Sequence, residues 1–202
     1  MSRLRHRLRD RRRQSRSRGA VLVEAALITP VLFLLVFGAI EIGIAMSSIS
    51  ATSSGARDGA RFAAANLAPA ANRQLVADVV ADRVEDDLRA MTGFATPIEM
   101  WVYHSRTDST STEGYPMGKT SFTAGCDTDC YRYTWNTATK QFDRAGFEDW
   151  TVAELDACSV GGVHSVGVYV RVHHRSPSGL FGSRTLREHS NVRIEPLPLA
   201  QC

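Results

Sequence analysis

Residues 19–43 read GAVLVEAALITPVLFLLVFGAIEIG, and nine arginines stand in the eighteen residues before them. From Ala25 to Ile40 sixteen consecutive residues carry no charge, and apolar character resumes at Ile42. A helix from Ala20 to Met46 is roughly 40 Å long at 1.5 Å per residue. That length spans a bilayer core of about 30 Å. A basic leader before an apolar run also describes a cleaved secretory signal. The run is long for such a signal, however, and helix-compatible sequence continues past it to Ala65. The basic stretch RRRQSR lacks the apolar residues that follow a twin-arginine signal closely. The reading is a retained anchor.

Charge divides the chain in the same place. The whole sequence of 202 residues has a formal charge of +3, but residues 1–18 hold nine Arg and one Asp. The remainder holds fifteen basic and twenty acidic residues, a net −5. The body is acidic and the basic end is a separate device, which argues against a globular nucleic-acid binder. So charged a leader is expected to be disordered or to lie along anionic lipid. Basic residues stay cytoplasmic, so everything beyond residue 46 is expected outside.

Outward from the anchor, SSGARDGARFAAANL (residues 53–67) keeps helical spacing. Gly55, Gly59 and Ala63 recur every four residues and make one smooth face, with Arg57 and Arg61 on another row. LAPAAN breaks this stem. Residues 72–91 read as a second helix, with Leu75, Val76, Val79, Val80, Val84, Leu88 and Met91 on one stripe. The acidic cluster from Glu85 to Asp87 faces away from that stripe, towards solvent. After TGFATP the period changes to two, and residues 98–104, 131–136, 140–144, 165–174 and 185–195 read as strands. NTAT turns the second strand into the third. EDWTVAELDAC reads as a short helix, and the polar stretch 105–129 as a loop. The fold class is α+β: a long N-terminal transmembrane helix continuing into a stem, a second helix, and a C-terminal antiparallel sheet of four to five strands. Its expected segments are a leader over 1–19, the membrane helix and stem over 20–66, and an extracytoplasmic α+β domain over 67–202.

Four cysteines, Cys126, Cys130, Cys158 and Cys202, all follow the membrane segment. An even number on the far side fits disulfides in an oxidising compartment, with free thiols or a metal site as alternatives. Three connectivities are possible, and CDTDC is compact enough for a local bridge. His173 and His174 are adjacent on a strand and point to opposite faces, so they do not suit one zinc ion. No nucleophile elbow, HExxH pair or phosphate-binding loop is present. The expectation is a protein that is not an enzyme and needs no metal or cofactor.

The unusual chemistry lies in the span. A charged group at a helix centre costs about 2.5–3.5 kcal/mol on insertion scales. Glu24 near the cytoplasmic edge and Glu41 near the outer edge can both snorkel, while Pro30 opens the backbone ladder between them. Gly19 follows the basic leader and precedes Ala20, with Glu24 the fifth residue from Ala20. This arrangement resembles the processing site of type IV-like prepilins, cut after the glycine by a membrane aspartyl peptidase. RGAVLVEAALITPVLFLLVFGAIEIG followed by GARDGARFAAA resembles the TadE-like family of the tight-adherence (Flp) pilus system. The likeness is strongest over residues 18–65 and extends into SGLFGSRTLREHSNVRIEP. Ala25 stands where the pattern commonly has an aromatic residue.

The resemblance implies a minor pilin or pseudopilin that assists pilus assembly. It implies Gly19 before the cut, Ala20 as the new N-terminus and Glu24 as partner of an N-terminal amine. Implied partners are the membrane, other pilin-like subunits, the pilus assembly platform and a prepilin peptidase, with no nucleic acid. The implied location is the cytoplasmic membrane, single-pass, with the N-terminus cytoplasmic, or a surface pilus. The alternative function is an anchored or secreted extracytoplasmic module whose 98–202 region binds a ligand, with Tyr103, Trp135 and Trp150 as aromatic candidates.

Overall fold

The computed structural model describes residues 2–67, 72–89, 91, 93–106, 114–148, 150, 164–179 and 182–194, with side chains from residue 19 onward except those of 106, 147 and 148. Helix α1 (Ser2–Asn66) and helix α2 (Arg73–Arg89) precede five strands: β1 (Ala95–Arg106), β2 (Cys130–Asn136), β3 (Gln141–Glu148), β4 (His164–Arg175) and β5 (Ser183–Arg193). The strands form one antiparallel sheet in the order β3-β2-β1-β4-β5. The expected α+β class, with its apolar first helix, second helix and antiparallel sheet, is what the chain adopts. Contacts divide it into two compact units, Met1–Gly43 and Ile44–Cys202.

In the first unit the helix continues unbroken through Pro30. It also begins at Ser2, whereas the arginine-rich leader was expected to be disordered or to lie along lipid. Arginine has a helix propensity close to that of alanine, so the charge that forbids packing does not forbid the helix itself. Apolar side chains from Val21 to Ile40 are largely exposed, as lipid-facing residues are. Among the described residues this is the one helix long and apolar enough to cross a membrane, and its most apolar window buries nothing within the protein.

In the second unit, residues 44–66 of α1 join α2 over one face of the sheet. Ala56, Ala60, Ala63 and Leu67 meet Ala77, Val80, Ala81, Val84 and Leu88 in one core with Met100, Val102, Tyr133, Val166, Val168, Val170 and Val172. These strand residues occupy alternate positions, as a half-covered antiparallel sheet requires. The small face read from the stem is used for close approach. A Cβ at Gly59 would lie 2.9 Å from Val84 Cγ2 and 3.2 Å from Val80 Cγ1. Asp78 fastens α2 to the sheet, accepting from the Tyr133 hydroxyl at 2.8 Å and pairing with Arg144. The expected β2–β3 hairpin is closed by Asn136, whose carbonyl accepts from Lys140 N at 2.8 Å while its side-chain oxygen accepts from Ala138 N at 2.9 Å.

Three readings of α2 and the loops need correction. Leu75 is exposed and Val79 only half-buried, because the buried stripe runs through Ala77, Val80, Ala81, Val84 and Leu88. Glu85 shares that stripe, four residues after Ala81 and three before Leu88, and is buried rather than solvated. A backbone hydrogen bond from Phe142 receives it, while burial pushes its carboxyl above the usual carboxylate range. The stretch 105–129 is not all loop: β1 runs on to Arg106, and Phe122–Ala124 form a 3-10 turn. Apart from Glu148, which ends β3, and Trp150, the helix expected over EDWTVAELDAC lies outside the described residues.

Candidate functional site

Ala20 and Glu24 lie four residues apart on α1, about one turn, with Gly19 immediately before them. All three are exposed, as is Pro30. Glu41 differs in being buried within the chain. Seventeen residues separate the two carboxylates, about 25 Å of helix, so they do not form one site. The geometry thus groups Gly19, Ala20 and Glu24 within about a turn and a half of helix and leaves Pro30 and Glu41 apart from them.

The cysteines lie elsewhere. Cys126 and Cys130 are joined by a disulfide with Cα atoms 5.9 Å apart, closing the turn that leads into β2. Cys158 and Cys202 fall outside the described residues. His174 is buried with Nδ1 3.3 Å from the Ser48 hydroxyl, while its neighbour His173 is exposed on the opposite face. No group of three or more His, Cys, Asp or Glu side chains among the described residues is placed to hold a metal ion.

One polar cluster escaped the sequence reading. His104 Nδ1 lies 3.1 Å from Asp129 Oδ2, and His104 Nε2 lies 3.1 Å from His164 Nδ1. Both contacts are hydrogen bonds when His104 Nδ1–H donates to the carboxylate and His164 Nδ1–H donates to His104 Nε2. The order resembles a catalytic relay, yet all three side chains are buried. Their neighbour Ser165 donates to the Ser105 carbonyl at 3.0 Å and accepts from Asn191, so its hydroxyl is committed elsewhere. The cluster joins β1, β4 and the turn before β2. With the His104 N–H bonded to the Asp129 carbonyl at 3.0 Å, it holds the disulfide-closed turn to β1. No local pattern announces it, because its members come from β1, β4 and the turn before β2.

The match with known families falls on α1. Residues 19–61 match the family described as TadE-like protein. This segment is similar to TadE-like proteins. No curated protein and no solved structure matches the chain. The TadE-like segment contains Glu24, Pro30 and Glu41, and it reaches beyond the apolar run into the part of α1 that carries Gly55, Gly59 and Ala60. It therefore includes both the candidate membrane span and the helix face on which α2 packs. The match points to a Tad pilus-associated protein, and the exposed apolar helix is consistent with single-pass anchoring.

Proposed function

We propose that the chain is a membrane-anchored minor pilin or pseudopilin that assists assembly of a tight-adherence (Flp-type) pilus. The observation that carries this reading is the TadE-like match over residues 19–61, which starts at the glycine of the candidate processing site. Residues 1–19 are then the leader, residues 20–66 the membrane helix and stem, and residues 67–202 the extracytoplasmic domain. The nine leader arginines hold the N-terminus in the cytoplasm. A prepilin peptidase cuts between Gly19 and Ala20, and the leader leaves with its charge.

Cleavage creates an α-amine at the membrane edge, with an ordinary pKa of about 7.7–8.0 and so largely charged at neutral pH. Glu24 is the acidic residue one turn away. Between neighbouring subunits an amine–carboxylate contact offsets the desolvation of both groups and sets their axial register. This gives a function to a carboxylate set against an apolar run. Pro30, exposed on α1, is assigned to packing against other pilin-like subunits and the assembly platform.

N-terminal sequencing of protein extracted from membranes tests the reading directly. The expected first residue is Ala20. Material that begins at the initiator end, or after any residue other than Gly19, counts against pilin-type processing.

A further inference from the structure

We infer that the sheet face turned away from the helices binds an acidic saccharide, a carboxylated sugar chain held between paired arginines and an aromatic floor. A groove of about 550 Å³ lies on that face, with Glu99, Trp101, Phe122, Tyr169, Arg171 and Arg187 among its lining. Strand register explains the arrangement. Arg132, Trp101, Tyr169 and His189 stand side by side across β2, β1, β4 and β5, and the adjacent row runs Thr134, Glu99, Arg171, Arg187. Phe122, from the turn after β1, stacks on Tyr169 at 4.5 Å between ring centroids and lies 4.8 Å from His189. Trp101 and Tyr169 are 4.7 Å apart beneath it.

Two features of this face are unfavourable for the isolated chain. Arg171 and Arg187 are direct cross-strand partners, and like charges in that position repel. Glu99 lies 3.2 Å from Arg171 Nε, so it answers one guanidinium. Arg187 is exposed and has no ion-pair partner among the described residues, and Arg132 adds a third cation to the lining. The second feature is Trp101, whose indole N–H is buried with no hydrogen-bond acceptor among the described residues. A ligand carboxylate relieves the arginine pair, and a ligand oxygen gives the indole an acceptor.

The polar groups select the ligand class. Three arginines against one glutamate call for an anion, on a body whose net charge beyond the leader is acidic. Glu99 among them repels a phosphate backbone but accepts hydrogen bonds from hydroxyl groups. Ser121 and Thr123 add hydroxyls to the rim, and Tyr115 and Phe122 add apolar ring edges. Carboxylate, hydroxyls and an apolar ring face together describe a uronic-acid sugar better than a nucleic acid.

The test is calorimetric titration of the full-length chain in detergent micelles with α-1,4-tetragalacturonate. Maltotetraose serves as the neutral match, and an eight-residue oligothymidylate as the competing polyanion. Saturable binding of tetragalacturonate is expected, weakening with added salt. Maltotetraose and the oligonucleotide should bind at least ten-fold more weakly. Arg187→Gln should cost at least ten-fold in affinity and Trp101→Phe at least three-fold, both with unchanged far-ultraviolet circular dichroism. If Trp101→Phe fails to fold, Arg187→Gln decides alone, since Arg187 is exposed on an edge strand. Absence of saturable tetragalacturonate binding, wild-type affinity in Arg187→Gln, or tighter binding of the oligonucleotide overturns the inference. The inference does not rest on the pilus reading, because the readout is binding by the extracted chain rather than processing or assembly.

Discussion

Glu24 and Glu85 are carboxylates in apolar company that fare differently because only one is enclosed by its own fold. Glu85 sits in the α2 stripe with one oxygen taken by the backbone of Phe142 and Oε1 without a partner among the described residues. Burial raises its pKa, so the folded chain holds this proton to higher pH than the unfolded chain. Its contribution to stability is therefore most favourable below the ordinary value near 4.5 and falls as pH rises through the folded value. Glu85→Gln should melt higher than wild type at pH 7–8, and the gain should shrink towards pH 4. A gain of about 1 kcal/mol corresponds to roughly 2–4 °C for a chain of this size. A melting difference that is constant from pH 4 to pH 8 contradicts this account. Glu24 is exposed on α1, so its replacement should leave folding and insertion intact. Its proposed partner is the amine of a processed subunit, an attraction of about 4 kcal/mol at 4 Å and an effective dielectric of 20, before desolvation is subtracted. Glu24→Gln and Glu24→Leu should both lose most co-purifying pilin-like subunits and surface pili at matched membrane levels. Wild-type assembly by both variants makes Glu24 a snorkelling residue and nothing more.

At the level of elements, the contact between α1 and α2 depends on the absence of side chains at Gly55 and Gly59. Gly59→Leu places a branched side chain where Val80, Val84 and Val168 already lie. Overpacking of this kind costs about 1–3 kcal/mol. Gly59→Ala should be close to neutral, since a helix gain of up to about 1 kcal/mol opposes a tight Cβ contact. Gly38, with nothing within 4 Å of a Cβ, supplies a control whose leucine variant should melt as wild type does. Thermal unfolding in detergent separates the three, and equal melting of Gly59→Leu and Gly38→Leu removes the packing role. This face was legible in the sequence because residues four apart share one side of a helix, whatever packs there. The strands were legible for a similar reason, as alternation is a local property. Glu85 was not legible, since its acceptance into the core depends on the backbone of a distant strand. The row of Arg132, Trp101, Tyr169 and His189 was hidden for another reason. It exists only through the strand order β3-β2-β1-β4-β5, and neighbours in the row lie far apart in the chain. Tyr103, read as a candidate ligand contact, is instead enclosed, its ring over Gly167 and its hydroxyl donating to the Gly114 carbonyl at 2.8 Å.

For the molecule as a whole, two independent features bear on which side of the membrane the second unit occupies. The first is electrostatic. Nine arginines precede the apolar run, and moving them across a bilayer is far less favourable than moving a body of mixed charge with net −5. The second is covalent. The Cys126–Cys130 bridge belongs to the unit that follows Gly43, and a bridge of this kind persists in an oxidising compartment and is rare in a reducing one. Both arguments support the proposed orientation, with residues 47–202 outside the cytoplasm, and one labelling experiment examines them together. Spheroplasts carrying Cys158→Ser and Cys202→Ser are treated with a membrane-impermeant maleimide, with and without prior reduction by an impermeant phosphine. Without reduction neither remaining cysteine should react. With reduction both should be labelled while a cytoplasmic marker protein stays unlabelled. Reaction only after the membrane is permeabilised reverses the orientation, and immediate reaction without reduction shows an open bridge on the outer side. The first outcome removes the pilin-type topology together with the role given to the basic leader. The second removes only the disulfide, and with it the covalent closure of the turn that the His104–Asp129 pair holds against β1.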